Sequence, residues 1–186
     1  MSHNKPIGII SVGHFLPETV IDNDHFVQIG LDTSPEWIKS RTGITSRRIS
    51  DQSHSTSDLA TFAAQNTLKN ASIRADQLDF IIVATASPDH AGFPSTACLV
   101  QEKLGISKPV ECFDISAACS GFAYAISIAY SKVISGMGTY GMVIGAEQLS
   151  SLMDWSDRKT AILFGDGAGA AIIGPVSSGG VTAFNQ

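Results

Sequence analysis

The strongest constraint on the fold is an alternation along the chain between short, mainly apolar runs and segments with helical spacing. Residues 79–84 (DFIIVA) form a continuous run of strand-favouring side chains, which is typical of a strand covered on both faces. Similar runs predict strands at residues 7–13, 110–115 and 140–146. Because helix-like segments connect these runs, the sequence predicts right-handed βαβ units. The expected fold class is α/β, with a mostly parallel sheet and helices on both faces.

Helix start and stop residues bound the connecting segments. Ser34 has the residue type of an N-cap, Pro35 that of a first helical position, and Gly43 ends the predicted helix. The same reasoning predicts helices at 23–28, 55–71, 95–104 and 119–135. The strand–helix alternation ends in the last part of the chain. Residues 168–173 and 180–184 are predicted to be two strands joined by a Ser-Ser-Gly-Gly turn. This pattern predicts an antiparallel hairpin on the sheet.

Composition and charge exclude several classes of function. The 186 residues carry a formal net charge of −5 and only 16% charged residues, which excludes the general basic footprint of a nucleic-acid-binding protein. No run of about 18 apolar residues occurs, so we expect no membrane span. The start lacks the features of a secretion signal, and the three cysteines lack metal-binding spacing. We therefore expect a reduced, cytoplasmic protein without a metal site.

One local segment departs from this acidic average. Between Glu36 and Arg48, four basic residues accompany a single acidic one. The segment is either an ordinary solvated face or a dock for a phosphate-bearing ligand or an acidic partner protein. The basic residues are Lys39, Arg41, Arg47 and Arg48.

A cysteine at the predicted start of the helix at 119–135 is the strongest candidate for chemistry. The sequence FDISAACSGF at 113–122 predicts a strand that runs into a tight turn of small residues, with Cys119 where the helix begins. Free N–H groups and the helix dipole at such a position favour a thiolate and activate it as a nucleophile. The alternative is that Cys119 is a small core residue. We expect Cys98 and Cys112 to be core residues.

Two further patterns point to chemistry less specifically. Gly165, Gly167 and Gly169 alternate, but they lack dinucleotide-binding spacing and precede a predicted strand. We expect these glycines to permit a tight bend and close backbone packing. His90 follows the predicted strand at 79–84, where α/β proteins often build sites, so a Cys–His pair is conceivable. A loop histidine is more often ordinary polar surface, and both interpretations stay open.

Six ordered motifs give the sequence a specific resemblance to a known family. They are TSPEWI with RTGI at 33–44, VATAS at 83–87, FPS at 93–95, AACSGF at 117–122, DR at 157–158 and FGDGAG at 164–169. With these motifs the chain resembles β-ketoacyl-acyl-carrier-protein synthase III, a thiolase-fold condensing enzyme, over nearly all of residues 6–186. The resemblance implies that residues 1–186 form the amino-terminal domain of a thiolase-like fold.

The resemblance also implies a function for Cys119. Its thiolate is expected to take the acyl group of an acyl-CoA and hold it covalently. A malonyl thioester on acyl carrier protein then decarboxylates, and its carbanion displaces the enzyme thiol. This condensation would start fatty acid synthesis. The resemblance implies no cofactor beyond the substrates acyl-CoA and malonyl-acyl carrier protein.

Further site residues are carried over from the same motifs. Four of them match contacts to CoA at the mouth of the substrate tunnel: Thr33, Trp37, Arg41 and Arg158. Phe93 matches a residue that reaches across a homodimer and shapes the acyl pocket, and Phe164 matches a second aromatic residue that lines the pocket. In this comparison the basic segment at 39–48 fits an entry for CoA phosphates or acidic carrier protein.

The chain also departs from the family pattern. Family members are nearly twice as long, and their catalytic His and Asn lie in a second half that has no counterpart in this sequence. Gly92 is inserted beside Phe93, which leaves the shape of the pocket and the length of the primer open. The alternatives are a related acyltransferase, a secondary-metabolite (quinolone or polyketide) synthase, or a non-catalytic truncated subunit.

The predicted helix at 119–135 argues for a missing partner. Its sequence is apolar on nearly every side, as in helices that are buried all round. Half of a thiolase fold cannot surround such a helix. We therefore expect the chain alone to aggregate, or to be bound to a second half of the same fold.

Overall fold

The computed structural model describes residues 5–51 and 53–183, and it confirms the predicted alternation of strands and helices. The strands are β1 (Ile7–Phe15), β2 (Thr19–Asp22), β3 (Ser46–Ile49), β4 (Phe80–Ala84), β5 (Glu111–Ile115), β6 (Gly141–Gln148) and β7 (Asp166–Pro175). The α-helices are α1 (Asp24–Gln28), α2 (Pro35–Thr42), α3 (Thr56–Ala71), α4 (Thr96–Lys103), α5 (Gly121–Ile134) and α6 (Arg158–Ala161).

The main sheet has the strand order β1, β7, β6, β4, β5. Strand β4 pairs in parallel with both β5 and β6, as the βαβ pattern predicts. Strand β7 is antiparallel to both of its neighbours, β6 and β1. Four of these five strands therefore run in one direction, and β7 alone makes the sheet mixed.

Helices cover both faces of this sheet, as expected. On one face α3 and α4 pack on Ile81, Val83, Met142 and other alternate residues of the central strands. On the other face α5 packs on Phe80, Ile82 and Val143. Successive strand residues point to opposite faces, so the continuous apolar run of β4 supplies both cores.

A smaller unit lies beside the sheet and has a core of its own. Strands β2 and β3 pair as an antiparallel two-stranded sheet. Phe26 of α1, Ile38 of α2 and the pair Ala161 and Ile162 at the end of α6 are its buried apolar residues. This small unit carries the motif residues from Thr33 to Arg41, so it positions the tunnel mouth that the resemblance implies.

The predicted hairpin in the tail is wrong. Strand β7 covers the first predicted strand, but residues 180–183 form no strand, and residue 184 lies outside the described residues. Gly179 and Gly180 have φ angles of 75° and 119°, a left-handed backbone that an extended strand does not use. The N–H of Val181 instead donates to the carbonyl of Ile7 at 2.9 Å, so the segment turns back along β1.

Candidate active site

Cys119 lies in a tight turn between β5 and α5. Residues Ala118–Ser120 form one 3₁₀ turn, in which the N–H of Ser120 donates to the carbonyl of Ala117 at 3.1 Å. Ala118 has a φ of 45°, which few non-glycine residues adopt. The α-helix begins at Gly121, two residues later than the sequence predicts. Cys119 is a free, exposed thiol at this junction, so the alternative of a core residue is wrong.

Small residues allow the first turn of α5 to lie close to the sheet. A Cβ at Gly121 would lie 3.1 Å from the Cβ of Ala84, the last residue of β4. A Cβ at Gly145 of β6 would lie 3.2 Å from the ring of Phe122. The thiol is therefore held where the parallel strands β4, β5 and β6 end, which is the usual place for sites in α/β folds.

The start of α5 has no side-chain cap, since Ser120 makes no capping hydrogen bond. The first N–H groups of an α-helix have no intrahelical partner, and they carry the positive end of the helix dipole. An anion at this point would thus be stabilised by α5. The oxyanion that forms when a thioester is attacked is such an anion.

The other two cysteines differ in exposure. Cys112 is half-buried in β5, and burial, with smaller contributions from Cys98 and acidic neighbours, raises the pKa of its thiol to about 12. Cys112 packs against the core formed by α3, α4 and the sheet, which confirms its predicted packing role. Cys98 is exposed, so its predicted place in the core is wrong. Helix α4 turns Ala97 and Val100 inward, and Cys98 lies on the outer side.

The structure gathers three of the four predicted mouth residues. The guanidinium carbon of Arg158 lies 4.8 Å from the ring centroid of Trp37. Arg158 also donates to the backbone carbonyl of Asp32 at 2.6 Å, which places it beside Thr33. The hydroxyl of Thr33 is buried without a hydrogen-bond partner among the described residues. Arg41 is exposed and lies one turn along α2 from Trp37, hence on the same face of that helix.

Helix α2 has the capping predicted from its sequence. The hydroxyl of Ser34 accepts a hydrogen bond from the N–H of Trp37 at 3.2 Å. Gly43 ends the helix with a φ of 74°, the left-handed conformation expected of a glycine C-cap. These caps fix the position of Trp37 in the first turn and of Arg41 in the last.

The predicted basic segment is not a single surface. Lys39, Arg41 and Arg48 are exposed, but the side chain of Arg47 is buried, with 7% of its surface exposed. Because successive residues of β3 face opposite sides, Arg48 points outward and Arg47 inward. The interpretation of Arg47 as part of a dock for phosphates or acidic protein is therefore wrong.

The two predicted pocket aromatics are both exposed. Phe93 has 91% of its surface exposed in the loop that leads to α4, and Phe164 has 40% exposed between α6 and β7. Neither ring belongs to one of the three apolar cores.

A carboxylate that the sequence did not single out holds the loop after β4. Glu147 of β6 accepts hydrogen bonds from the N–H of Ala86 at 2.8 Å and from the hydroxyl of Ser87 at 2.5 Å. Ser87 in turn accepts from the N–H of Gln148 at 2.9 Å. The sequence signal that could have identified Glu147 is the polar pair Glu147 and Gln148 at the end of the apolar strand β6.

His90 is exposed and lines a cavity of about 850 Å³ together with His54 and Trp155. Cys119 does not line this cavity. The structure therefore favours the interpretation of His90 as polar surface over that of a Cys–His pair.

Asp166 ties this region to the small unit. Its buried carboxylate accepts from the N–H of Ser50, which follows β3, at 2.7 Å, and from the N–H and hydroxyl of Ser150 at 2.9 and 2.6 Å. A Cβ at Gly165 would lie 2.8 Å from the carbonyl of Arg48, which confirms close backbone packing at this glycine.

Metal and membrane features can be stated for the described residues alone. Within 5–51 and 53–183, no group of three or more His, Cys, Asp and Glu side chains is arranged to hold a metal ion. Over the same ranges, no helix is both long enough and apolar enough to cross a membrane.

Comparisons with known proteins show which family the chain is similar to. Residues 113–186 match the family model described as 3-oxoacyl-acyl-carrier-protein (ACP) synthase III. The chain is 51% identical over 172 residues to the beta-ketoacyl-acyl-carrier-protein synthase III of Caldanaerobacter subterraneus subsp. tengcongensis, an alignment that covers 92% of this chain and 51% of the relative. The chain thus spans about half the length of this curated relative.

Solved structures of similar fold lead to the same family. The crystal structure of 3-oxoacyl-acyl-carrier-protein synthase III from Aquifex aeolicus VF5 has a TM-score of 0.87 at 48% identity, covering 92% of this chain and 55% of that one. The priming beta-ketosynthase of the R1128 polyketide biosynthetic pathway has a TM-score of 0.89 at 31% identity, covering 96% and 52%. These similarities confirm the predicted resemblance to this family and the predicted thiolase-like fold, of which the chain covers about half.

Proposed function

We propose that this chain, which has the sequence and the fold of the β-ketoacyl-acyl-carrier-protein synthase III family, carries the acyl-accepting cysteine of a condensing enzyme. The observation that carries this proposal is the exposed thiol of Cys119 at the uncapped start of α5. The segment that contains it also lies within the residues that match the family model.

In the first step the thiolate of Cys119 attacks the thioester carbonyl of an acyl-CoA. A tetrahedral oxyanion forms and collapses, CoA leaves as its thiolate and takes up a proton, and the acyl group stays on Sγ. Free N–H groups at the start of α5 are available to stabilise this oxyanion. The small residues Ala117, Ala118 and Gly121 around Cys119 would let the substrate carbonyl approach closely.

In the second step malonyl-acyl carrier protein loses CO₂, and the resulting carbanion attacks the acyl carbonyl and expels the Cys119 thiolate. This step rests on the family resemblance, which assigns the His and Asn that promote decarboxylation to the carboxyl-terminal half of the fold. From the residues described, we assign to this chain the formation of the acyl-cysteine and part of the CoA site.

The small unit is the proposed site for the nucleotide end of CoA. Trp37 offers an aromatic face for the adenine, and Arg158 already stacks on that ring, which supports a cation beside the nucleotide. Arg41 supplies a second cation on the same helix face. The unpartnered hydroxyl of Thr33 supports its proposed contact with CoA, because a buried polar group gains from a hydrogen bond.

Two surfaces support the proposed protein partners. Strand β5 pairs only with β4 among the described strands, and with the exposed Phe93 it supports a homodimer. Helix α5 buries Ala125, Ala129 and Val133 but leaves Tyr124 and Ile128 42% and 38% exposed. This apolar face supports the proposed contact with the other half of the fold. A cytoplasmic location stays a prediction.

A second candidate is a synthase that primes polyketide assembly. The TM-score of 0.89 to the R1128 priming beta-ketosynthase shows that the fold does not separate the two functions. The lower sequence identity, 31% against 51%, favours fatty acid synthesis. Acyl transfer to Cys119 is common to both candidates, so the carrier protein that accepts the acyl group distinguishes them.

The test is the intact mass of the protein before and after incubation with acetyl-CoA and longer acyl-CoAs. We expect a mass gain of one acyl group in the wild type and in Cys98→Ala, and none in Cys119→Ala. Cys98 is the matched control because it is the other exposed cysteine. Equal acylation of the Cys119→Ala variant would contradict the proposal, and so would the absence of acylation by every donor.

A further inference from the structure

The small unit holds a buried charge that the proposed chemistry does not use. The guanidinium of Arg47 donates from Nη1 to Oδ1 of Asn23 at 3.0 Å and from Nη2 to the carbonyl of Ile162 at 2.6 Å. Its central carbon lies 4.6 Å from the ring centroid of Phe26. Burial lowers the pKa of Arg47, opposed by the charge of Asp22, yet arginine stays protonated in proteins. Burying a charged group costs free energy, so we looked for a specific role of Arg47 in its hydrogen bonds.

Asn23 extends the contact of Arg47 to both ends of α2. Its Nδ2 donates to the carbonyl of Ile44 at 2.9 Å and, at 3.5 Å, to that of Pro35. Pro35 is the first residue of α2, and Ile44 follows the glycine that ends it. One amide side chain therefore holds the helix that carries Trp37 and Arg41 at its beginning and its end.

The other contact of Arg47 leads to α6. Ile162 directly follows this helix, whose first residue is Arg158. Arg47 thus links the end of α6 to Asn23, and through Asn23 to α2. Trp37 and Arg158, which stack on each other, lie on the two helices joined in this way. The apolar contacts of the small core are not directional. These hydrogen bonds are directional, and they fix the orientation of α2 relative to α6.

We propose that Arg47 is a positioning residue for the nucleotide end of acyl-CoA. Through Asn23 and the carbonyl of Ile162 it holds α2 and α6 in the arrangement in which Trp37 and Arg158 face one ligand. This inference rests on the proposed function, because it takes these helices as the CoA site. Arg47 touches neither the thioester nor Cys119, so its loss weakens CoA binding and leaves the reactivity of the thiol unchanged.

The test compares two acyl donors that differ only in the nucleotide. Acetyl-CoA carries it, and the acetyl thioester of N-acetylcysteamine does not. For Arg47→Met we expect at least a tenfold rise in the KM for acetyl-CoA and in the Kd of CoA measured by calorimetry. The rate constant for acylation by the short thioester should stay within twofold of wild type.

Two further variants make the result interpretable. Asn23→Asp keeps an acceptor for Arg47 but removes the donor to Ile44 and Pro35, so it should show the same selective loss with acetyl-CoA. This nearly isosteric change keeps the inference testable if Arg47→Met fails to fold. Arg74→Met is the charge-matched control, since Arg74 is an exposed arginine paired with Asp76, and it should behave as wild type with both donors.

Each outcome points to one conclusion. Selective loss with acetyl-CoA supports a positioning role for Arg47. Equal slowing of both donors in the folded Asn23→Asp variant, or an unchanged Kd for CoA in both folded variants, would overturn it. If wild-type protein is acylated by neither donor, the proposed function fails, and this inference fails with it.

Discussion

Loss of the Asp166 carboxylate is expected to destabilise the protein more than any exposed carboxylate does. Asp166 is the first residue of β7, and its side chain is 7% exposed. It accepts two backbone N–H groups, from Ser50 and Ser150, and one hydroxyl. It therefore joins the end of β3 to the segment after β6. The substitution Asp166→Ala removes this junction without adding bulk.

The expected cost follows from the donors that are left behind. Each buried N–H group without an acceptor costs about 1–3 kcal/mol, whereas the Ser150 hydroxyl can rotate to another acceptor. Removing a buried charge offsets part of the loss, which leaves a decrease in the free energy of unfolding of about 2–4 kcal/mol. Asp166→Asn keeps one acceptor oxygen and should lose about half as much.

The assay is urea unfolding followed by far-ultraviolet circular dichroism. With an m value of about 1–3 kcal/mol/M, the midpoint for Asp166→Ala should fall by about 1–2 M at unchanged m. Asp154→Ala is the matched control, because Asp154 accepts from the N–H and hydroxyl of Ser156 in the same way but is exposed. Equal midpoints for Asp166→Ala and Asp154→Ala would refute the reasoning.

Three further predictions concern packing and ionisation. Gly141→Ala would place a Cβ against the Phe80 ring, closer than van der Waals contact, and should lower the free energy of unfolding in urea by about 1–3 kcal/mol, whereas Gly169→Ala, with open space, should lower it little. Asp58 is partly desolvated, but hydrogen bonds from Lys103 and Ser55 outweigh this and lower its pKa. The stabilisation that Asp58→Asn removes, about 1 kcal/mol, should therefore be present above about pH 4 and vanish as pH falls through the lowered pKa; a difference that persists at lower pH would contradict this. The rise in the pKa of Cys112 from 9.0 to about 12 lowers its thiolate fraction at pH 8 about a thousandfold. Iodoacetamide should therefore label Cys98 and Cys119 long before Cys112, and equal labelling of all three would exclude this.

The sheet strands could be predicted because their patterns are local. Strand β4 is apolar at every position, as a strand covered on both faces must be, and the glycine that ends α2 marks its boundary. Strands β2 and β3 were missed, because TVID and SRRI are short and rich in polar or charged side chains. Their pairing joins residues far apart along the chain, such as Val20 with Arg48, which no local period shows.

The reactive residue of the candidate site could be predicted from the sequence, but the residues that hold the site in place could not. Cys119 was found because a cysteine between a strand and an apolar helix has a direct chemical meaning. Glu147 and Arg47 were missed or misread, since their partners lie far along the chain and only the fold brings them together. In the sequence nothing distinguishes Arg47 from its neighbour Arg48. Only the alternation of side chains along β3 buries the first and exposes the second. Cys98 shows the reverse error, in which a helix places a small apolar residue outward.

The most direct test of the account is to locate the acyl group after wild-type protein is incubated with acetyl-CoA. Proteolysis and tandem mass spectrometry can distinguish Cys119 from Cys98 and Cys112 within one sample. We predict a single acetyl group on Cys119, released by hydroxylamine as a thioester should be. An acetyl group on Cys98 instead, or an even distribution between the two exposed cysteines, would contradict Cys119 as the nucleophile.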